Sequence, residues 1–342
     1  MELSIVSLGT VQDGATAADA YTDVTELAQR AEELGYSRFW VAEHHGVGDS
    51  ISSSTPEVLI AHLAAKTDEI RVGSGTVLLN HYSPFKVAET FSALDALAPG
   101  RIDMGLGRAS GSPAADRALQ SNQTQQQDDH ADKIKEAVKH LYNGFPDDHP
   151  YDELHLARSG ESVPETWVLG SSPNSAAIAG RLGLPYCFAG FIRPDVAPQA
   201  FEAYRENFEP APFDASPDEP AGMLGVNVTC GDTDQEAARL RASVEAYYQR
   251  LSNGNTGAPP PVEVAIDELG GVPDPTPDSL QPGAWPRQIS GSPSTVRDLL
   301  EQMTDHVGVE KVVIQNMIED PDDRIRSYEL IADGVGLSAG DS

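Results

Sequence analysis

The chain has 342 residues and carries 53 acidic against 23 basic side chains, a formal net charge of −30. Nucleic acid is excluded as a partner, because binding a polyanion needs clustered cations that release its counterions, and an anionic membrane surface is disfavoured on the same ground. The length allows two ordinary domains but equally one α/β barrel, and the 39% hydrophobic residues are spread in regular blocks rather than gathered in one half.

Short apolar runs alternate with longer amphipathic stretches, the pattern of repeated βα units on a parallel sheet. Residues 3–8 read as the first strand and 19–34 as its helix, closed by Gly35. Residues 38–42 form the second strand and 56–66 its helix, with Pro56 in the first turn, where a missing N–H costs nothing. The third unit is 70–79 followed by 84–97. The fourth strand, 102–106, leads to a helix at 131–142, with the polar stretch 121–129 between them as an exposed loop or helix start. Strands at 165–169, 186–189 and 223–229 are followed by helices at 175–182, 194–207 and 234–251.

Residues 252–288 then break the pattern with Pro259, Pro260, Pro261, Pro273, Pro275, Pro277, Pro282, Pro286 and several glycines, and no core element fits there. Long loops inside compact domains are functional lids or disordered segments, so this stretch is expected to be a mobile active-site lid. A helix at 294–303, a strand at 312–314 and a helix at 322–331 complete the chain. Eight strand candidates with eight or more helices predict the α/β class and a (β/α)8 TIM barrel, one domain over 1–342 with a lid-like insertion before the last βα unit. An open doubly wound sheet is the alternative; no Gly-x-Gly-x-x-Gly opens a helix after the first strand, which counts against it.

In such barrels the active site forms at the carboxyl ends of the strands. Four clusters fall on that rim: Glu43-His44-His45 after strand two, Gly73-Ser74-Gly75-Thr76 in strand three, Gly105-Leu106-Gly107-Arg108 after strand four, and Gly170-Ser171-Ser172 after strand five. Arg108 offers a fixed fork of donors suited to phosphate, the serines add hydroxyls, and a helix starting near Ser175 adds its positive end. The same serines also make a good helix cap, so phosphate binding and plain capping both stand. Glu43-His44-His45 leaves three readings: a metal site, a structural strand end, or a catalytic imidazole that titrates near working pH. Neighbouring strand residues point to opposite faces, which disfavours a metal cluster, and no metal is expected. No Gly-x-Ser-x-Gly elbow lies between a strand and a helix, so a Ser-His-Asp hydrolase is not supported.

Self-repulsion at this net charge favours a salt-rich, halophilic cytoplasm, where at ~1 M ionic strength the screening length is about 3 Å. Cys187 and Cys230, the two cysteines, sit in apolar runs and read as buried free thiols. A start with no basic segment ahead of an apolar one, and no apolar run near 18 residues, lead to a soluble, cytoplasmic expectation.

Over residues 38–111, and again over 169–185, the motifs resemble those of the bacterial-luciferase-like flavin monooxygenases: Phe39-Trp40-Val41-Ala42-Glu43-His44-His45, Arg71-Val72-Gly73-Ser74-Gly75, Gly100-Arg101-Ile102-Asp103 to Gly107-Arg108, then Gly170-Ser171-Ser172 and Leu182-Gly183-Leu184-Pro185. The last hundred residues match in layout. The resemblance implies FMN at the carboxyl rim, its phosphate held by Arg108, Ser171, Ser172 and Ser175, and a non-prolyl cis peptide at Gly75–Thr76 beneath the flavin ring. Glu43 falls among the cofactor-binding positions, and His44 matches the family's catalytic histidine, a base or a stabiliser of flavin–oxygen intermediates. Gly107 stands where the family carries a reactive cysteine, and Ser171 where luciferases carry a phosphate-contacting glutamate, so thiol chemistry and light emission are not implied.

The activity so implied is oxygenation of a small organic substrate by O2 and reduced FMN delivered from a separate flavin reductase, in a homodimer formed through residues 56–66 and 84–97. Two alternatives share the motifs: an F420-dependent hydride-transfer enzyme and a noncatalytic flavin-binding protein. Tyr82, Phe191, Trp285 and Met317 are candidate linings for an apolar or aromatic substrate, or else core packing.

Overall fold

A parallel strand needs a crossover helix before the next strand can lie beside it, and the chain repeats that unit until the sheet closes. The structure is a computed structural model that describes residues 1–47, 50–109, 113–119, 130–158, 160–213, 216–255, 257–281 and 284–338; the polar stretch 121–129 lies outside the described residues. In chain order the elements are β1 (Glu2–Ser7), α1 (Ala17–Leu34), β2 (Arg38–Val41), α2 (Pro56–Ala64), β3 (Arg71–Ser74), β4 (Val77–Leu78), α3 (Pro84–Leu97), β5 (Ile102–Gly107), α4 (Pro113–Leu119) and α5 (His130–Tyr142). They continue with β6 (Glu165–Gly170), α6 (Pro173–Arg181), β7 (Tyr186–Ala189), α7 (Ala197–Glu206), β8 (Gly222–Cys230), α8 (Asp234–Ser252), α9 (Val262–Leu269), β9 (Gln288–Gly291), α10 (Pro293–Val307), β10 (Lys311–Gln315) and α11 (Pro321–Val335). Local signals set many of the ends. Thr16 and Asp19 close a capping box at the start of α1, and Gly35, at φ 85°, ends it in the left-handed conformation that lacks a steric penalty only for glycine.

Every ladder of the ring is parallel, in the order β1-β2-β3-β5-β6-β7-β8-β10, and β10 pairs back to β1, so the fold is a closed (β/α)8 barrel. The expected third strand is two pieces, β3 and β4, both laid against β5. Leu3, Ile5, Phe39, Val41, Val72 and Ile102 point outward into the shell of helices, whereas Val6, Trp40, Trp167, Cys187, Met223 and Val313 fill the barrel interior. Both cysteines are buried and free, and burial pushes their thiols up, Cys230 to about 12. Among the described residues no helix is long and apolar enough to cross a membrane.

The floor of the barrel is charged. Asp103, fully buried, accepts from Arg38 Nη1 at 2.9 Å and Trp40 Nε1 at 2.8 Å on one oxygen, and from Arg71 Nε at 2.9 Å and Nη2 at 2.6 Å on the other. Glu165 reaches both arginines from the next strand. A buried charge is tolerated when fully paired, and removing one partner strands the other. Asp103→Ala is therefore expected to cost about 3–5 kcal/mol of unfolding free energy, read from chemical denaturation; a loss no larger than that of an ordinary surface change would show that the floor does not hold the barrel.

Two expectations are corrected here. Residues 252–288 are not devoid of core elements: α9 lies within them, started at Pro261 and ended at Gly270, with Ala265 buried against Ala242 and Ala246 of α8, and β9 begins at Gln288. The helix expected in the outer shell after strand seven is also elsewhere. Met223 faces the barrel interior, so Asn227 and Thr229, two and three pleats farther on, face the same side, and their register partners Gln288 and Ser290 share it. Arg241 of α8 donates to Ser290 Oγ at 2.7 Å, and Asn227 Nδ2 donates to Tyr248 Oη at 3.3 Å. Helix α8 thus covers the inner face of the β8–β9 extension, above the barrel mouth. Val228, Cys230 and Ile289, on the outer face, belong to the shell core, where α10 packs against α7 and α11 and takes the seventh shell position.

Candidate active site

Strands β2, β3, β5 and β6 are consecutive in the ring, so the four clusters at their carboxyl ends form one arc of the rim. At its start the buried Glu43 is held on three sides: Oε2 accepts from Leu78 N at 2.8 Å, and Oε1 takes the Tyr82 hydroxyl at 2.7 Å and faces His45 Nε2 at 2.5 Å. Its carboxylate is occupied by protein partners and ties the β2 end to β4. His44 is fixed through its backbone, whose N–H donates to Ser53 O at 2.9 Å, while its ring Nδ1 is buried with no hydrogen-bond partner. Burial lowers the affinity of His44 for a proton, and His45 adds to this; the Glu43 charge opposes both. The imidazole is therefore neutral at pH 7, with a ring nitrogen left over for something the protein does not supply.

The Gly75–Thr76 peptide is cis, at the position the resemblance assigned. Thr76 Oγ1 turns back to Gly105 O at 2.8 Å, and a Cβ at Gly107 would stand 2.7 Å from Thr76 Cγ2. A side chain at position 107 would thus need Thr76 to shift as this backbone lies.

Next in the arc, Arg108 is exposed, and no hydrogen bond or ion pair joins it to any described residue. Its neighbours across the β5–β6 ladder are the residues leading into α6. There Ser172 and Ser175 form a capping box: Ser172 Oγ accepts from Ser175 N at 3.3 Å, and Ser172 N donates to Ser175 Oγ at 3.4 Å. Ser175 Oγ also donates to Ser172 O at 2.8 Å and lies 3.1 Å from Tyr186 Oη. Capping is thus realised, through long contacts on Ser172, and the half-buried Ser171 hydroxyl stands beside it. A guanidinium without a partner among the described residues, on the strand end adjoining the strand that leads into a serine-capped helix, is a donor set suited to a phosphate dianion.

The proposed lining residues divide. Tyr82 is the partner of Glu43, Trp285 is buried in the outer core with its ring 5.5 Å from His306, and Phe191 packs on the interior cluster. Met317 does reach the mouth, where its Sδ accepts from the Tyr248 hydroxyl at 3.7 Å. Asn227, Tyr248 and Arg287, which meet on the β8 side of the mouth, were not singled out by the sequence. Inward-facing Asn227 was legible from strand parity, but Tyr248 depends on where α8 docks, which no periodicity shows.

The sequence profile described as Luciferase-like monooxygenase matches residues 1–310. A luciferase-like monooxygenase of Escherichia coli K12 is 34% identical over 331 residues, 96% of each chain, and the N-acetyl-S-alkylcysteine monooxygenase of Bacillus subtilis is 35% identical over 344 residues, 98% of each. The crystal structure of apo-MsnO8 superposes with a TM-score of 0.88 at 40% identity, covering 98% of this chain and 99% of that one. With its closed barrel and this rim, the chain belongs to the luciferase-like monooxygenase family and is an oxidoreductase.

Proposed function

We propose that the protein is a flavin-dependent monooxygenase that takes reduced FMN from a separate reductase and uses O2 to oxygenate a small organic substrate. The observation that carries this reading is the pair of unspent groups on one arc, Arg108 and the buried Nδ1 of His44, neither of which has a partner among the described residues. Arg108, Ser171, Ser172 and the first N–H groups of α6 would hold the FMN phosphate. The cis turn at Gly75–Thr76 and the missing side chain at Gly107 would lie beneath the ring system. Reduced FMN, when bound, supplies the electrons that activate dioxygen.

The protein's own part is positional. Glu43 braces the strand end that carries His44, and the neutral His44 accepts or returns a proton at its ring nitrogen. Helix α8 and the segment after it roof the mouth and keep water out. The net charge of −30 supports a salt-rich cytoplasmic setting, and α2 and α3 are the faces proposed for a homodimer. Titration of the purified protein with FMN and with F420, followed by absorbance, tests the cofactor, and the time course of flavin reoxidation after rapid mixing of photoreduced FMN with O2 tests the chemistry. Saturable FMN binding, with a reoxidation course that the protein alters from that of free reduced FMN, is expected. Binding of F420 in place of FMN would move the protein to hydride transfer, and FMN binding that leaves the reoxidation course unchanged would make it a flavin carrier.

A further inference from the structure

In the last turn of α5 stands a histidine that no described residue satisfies. His140 is 1% exposed, and neither Nδ1 nor Nε2 has a hydrogen-bond partner. A neutral imidazole carries one hydrogen, so a donor and an acceptor are both buried unpaired, which folded proteins allow in few places. Glu136, one turn earlier, stands 3.8 Å from Nε2, beyond hydrogen-bonding distance. The ring is packed instead among aromatic rings, with centroids 4.8 Å from Phe85 of α3, 4.7 Å from Phe145 and 5.5 Å from Tyr151.

Phe145 and Tyr151 belong to the loop that follows α5. It leaves the helix through Asn143, at φ 49°, and Gly144, whose N–H donates to Lys139 O at 2.8 Å. It is tied down again at Ala157, whose carbonyl accepts from Ser92 Oγ of α3 at 2.7 Å. Between these ties the backbone bonds turn inward: His149 N donates to Pro146 O, Asp152 N to His149 O, Leu154 N to Tyr151 O, and Tyr151 N to His149 Nδ1. Among the described residues this stretch is seated on the protein by its rings. His149 stacks on Phe145 at 4.6 Å, so one phenyl ring contacts two imidazoles, and Lys139 Nζ lies 5.3 Å from the centre of the same ring. Phe85 stands in the first turn of α3, three residues beyond Tyr82, whose hydroxyl holds Glu43. The loop thus clasps the helix that begins behind the rim.

Protonating His140 where it lies would put a cation among aromatic rings with no acceptor for either N–H, which costs far more than protonating it in water. Burial, with the charge of His149 added, lowers its proton affinity. The titratable groups around it are Glu136 and Lys139 on α5 and His149 and Tyr151 on the loop; Phe85, the contact from α3, brings no charge.

We propose that the loop over residues 145–156 is an acid-released flap with His140 as its trigger, the imidazole taking up its proton when the loop lifts and water reaches it. The lifted state is the better proton acceptor. Lifted, His140 titrates near the ordinary value of about 6.5; docked, it titrates lower, so the docked form loses stability as the pH falls from about 6.5 to the docked value. Glu136 acts in the opposite sense, because burial pushes its carboxyl up and the docked form holds that proton more readily.

Hydrogen exchange over residues 145–156 of the full-length protein, corrected for the pH dependence of intrinsic exchange, tests this. The opening constant should rise roughly five- to ten-fold between pH ~7.5 and pH ~5.5. His140→Phe, a ring of similar size with nothing to protonate, should abolish the rise, whereas His149→Gln and Glu136→Gln should keep it. In the unaltered protein the His140 ring, followed by NMR, should titrate below the ordinary histidine value. The proposal fails if acid leaves the loop's exchange unchanged, if His140→Phe still opens, if His149→Gln suppresses the rise, or if His140 titrates at or above about 6.5. Acid loosening of α3, α5 and the loop to the same extent would also overturn it, since the effect would then belong to the whole fold.

Discussion

Arg108→Gln is expected to weaken FMN binding roughly ten- to a hundred-fold while leaving riboflavin binding essentially unchanged. The two ligands differ by the phosphate, so the comparison isolates the headgroup from the ring. A charged hydrogen bond to phosphate is worth more than a neutral one, and here no compensating protein contact is lost, because Arg108 has none among the described residues. Arg108→Lys should recover only part of the affinity, since an ammonium supplies the charge but not the fork. Ser171→Ala should cost less than Arg108→Gln, and Ser172→Ala should cost helix stability as well, because Ser172 Oγ also caps α6. Fluorescence titration of both flavins measures all four. Parallel losses for FMN and riboflavin in Arg108→Gln would place the arginine at the ring and not at the phosphate.

The rim was legible in the sequence because it is built from short-range features. Glu43-His44-His45, Gly107-Arg108 and Gly170-Ser171-Ser172 each follow an apolar strand directly, and once the strands are ordered in a ring the clusters must be neighbours. The Ser172 cap could be read as serines before a helix, and the structure adds that capping coexists with a Ser171 hydroxyl that has no hydrogen bond among the described residues. The cis bond at Gly75–Thr76 came from resemblance, since no local propensity points to it. What was hidden is the roof. The amphipathic pattern of α8 says that one face is buried, not against what, and a shell helix and a roof helix look alike in periodicity. Helix α9 carried readable signals, Pro261 before it and Gly270 after it, that the surrounding prolines masked. Strand β9, four residues long, is too short to stand out. Arg287 lies in that aperiodic stretch, and only the fold brings it over Tyr248.

His44→Gln should lower kcat by roughly 10²–10⁴-fold, the usual range for a general acid or base, with FMN affinity little changed, because the phosphate site we propose lies at the other end of the arc. The pH dependence follows from the environment of the ring. Burial, reinforced by His45, depresses the His44 pKa against the pull of Glu43, so the neutral form that accepts a proton persists below the ordinary histidine value of about 6.5. The acid limb of kcat is then expected below pH ~6.5, and His44→Gln should remove it along with most of the rate. The same shift acts on stability. Between the depressed folded value and about 6.5 the unfolded chain binds more protons than the folded one, so stability is lost as the pH falls through that window, and His44→Gln should flatten the slope. A residue that only packs at the strand end would move stability alone, whereas the proposed base moves kcat, its acid limb and the stability slope together. Equal losses of kcat and FMN affinity, or an acid limb that survives the substitution, would remove His44 from the chemistry and leave it as part of the brace that Glu43 builds between β2 and β4.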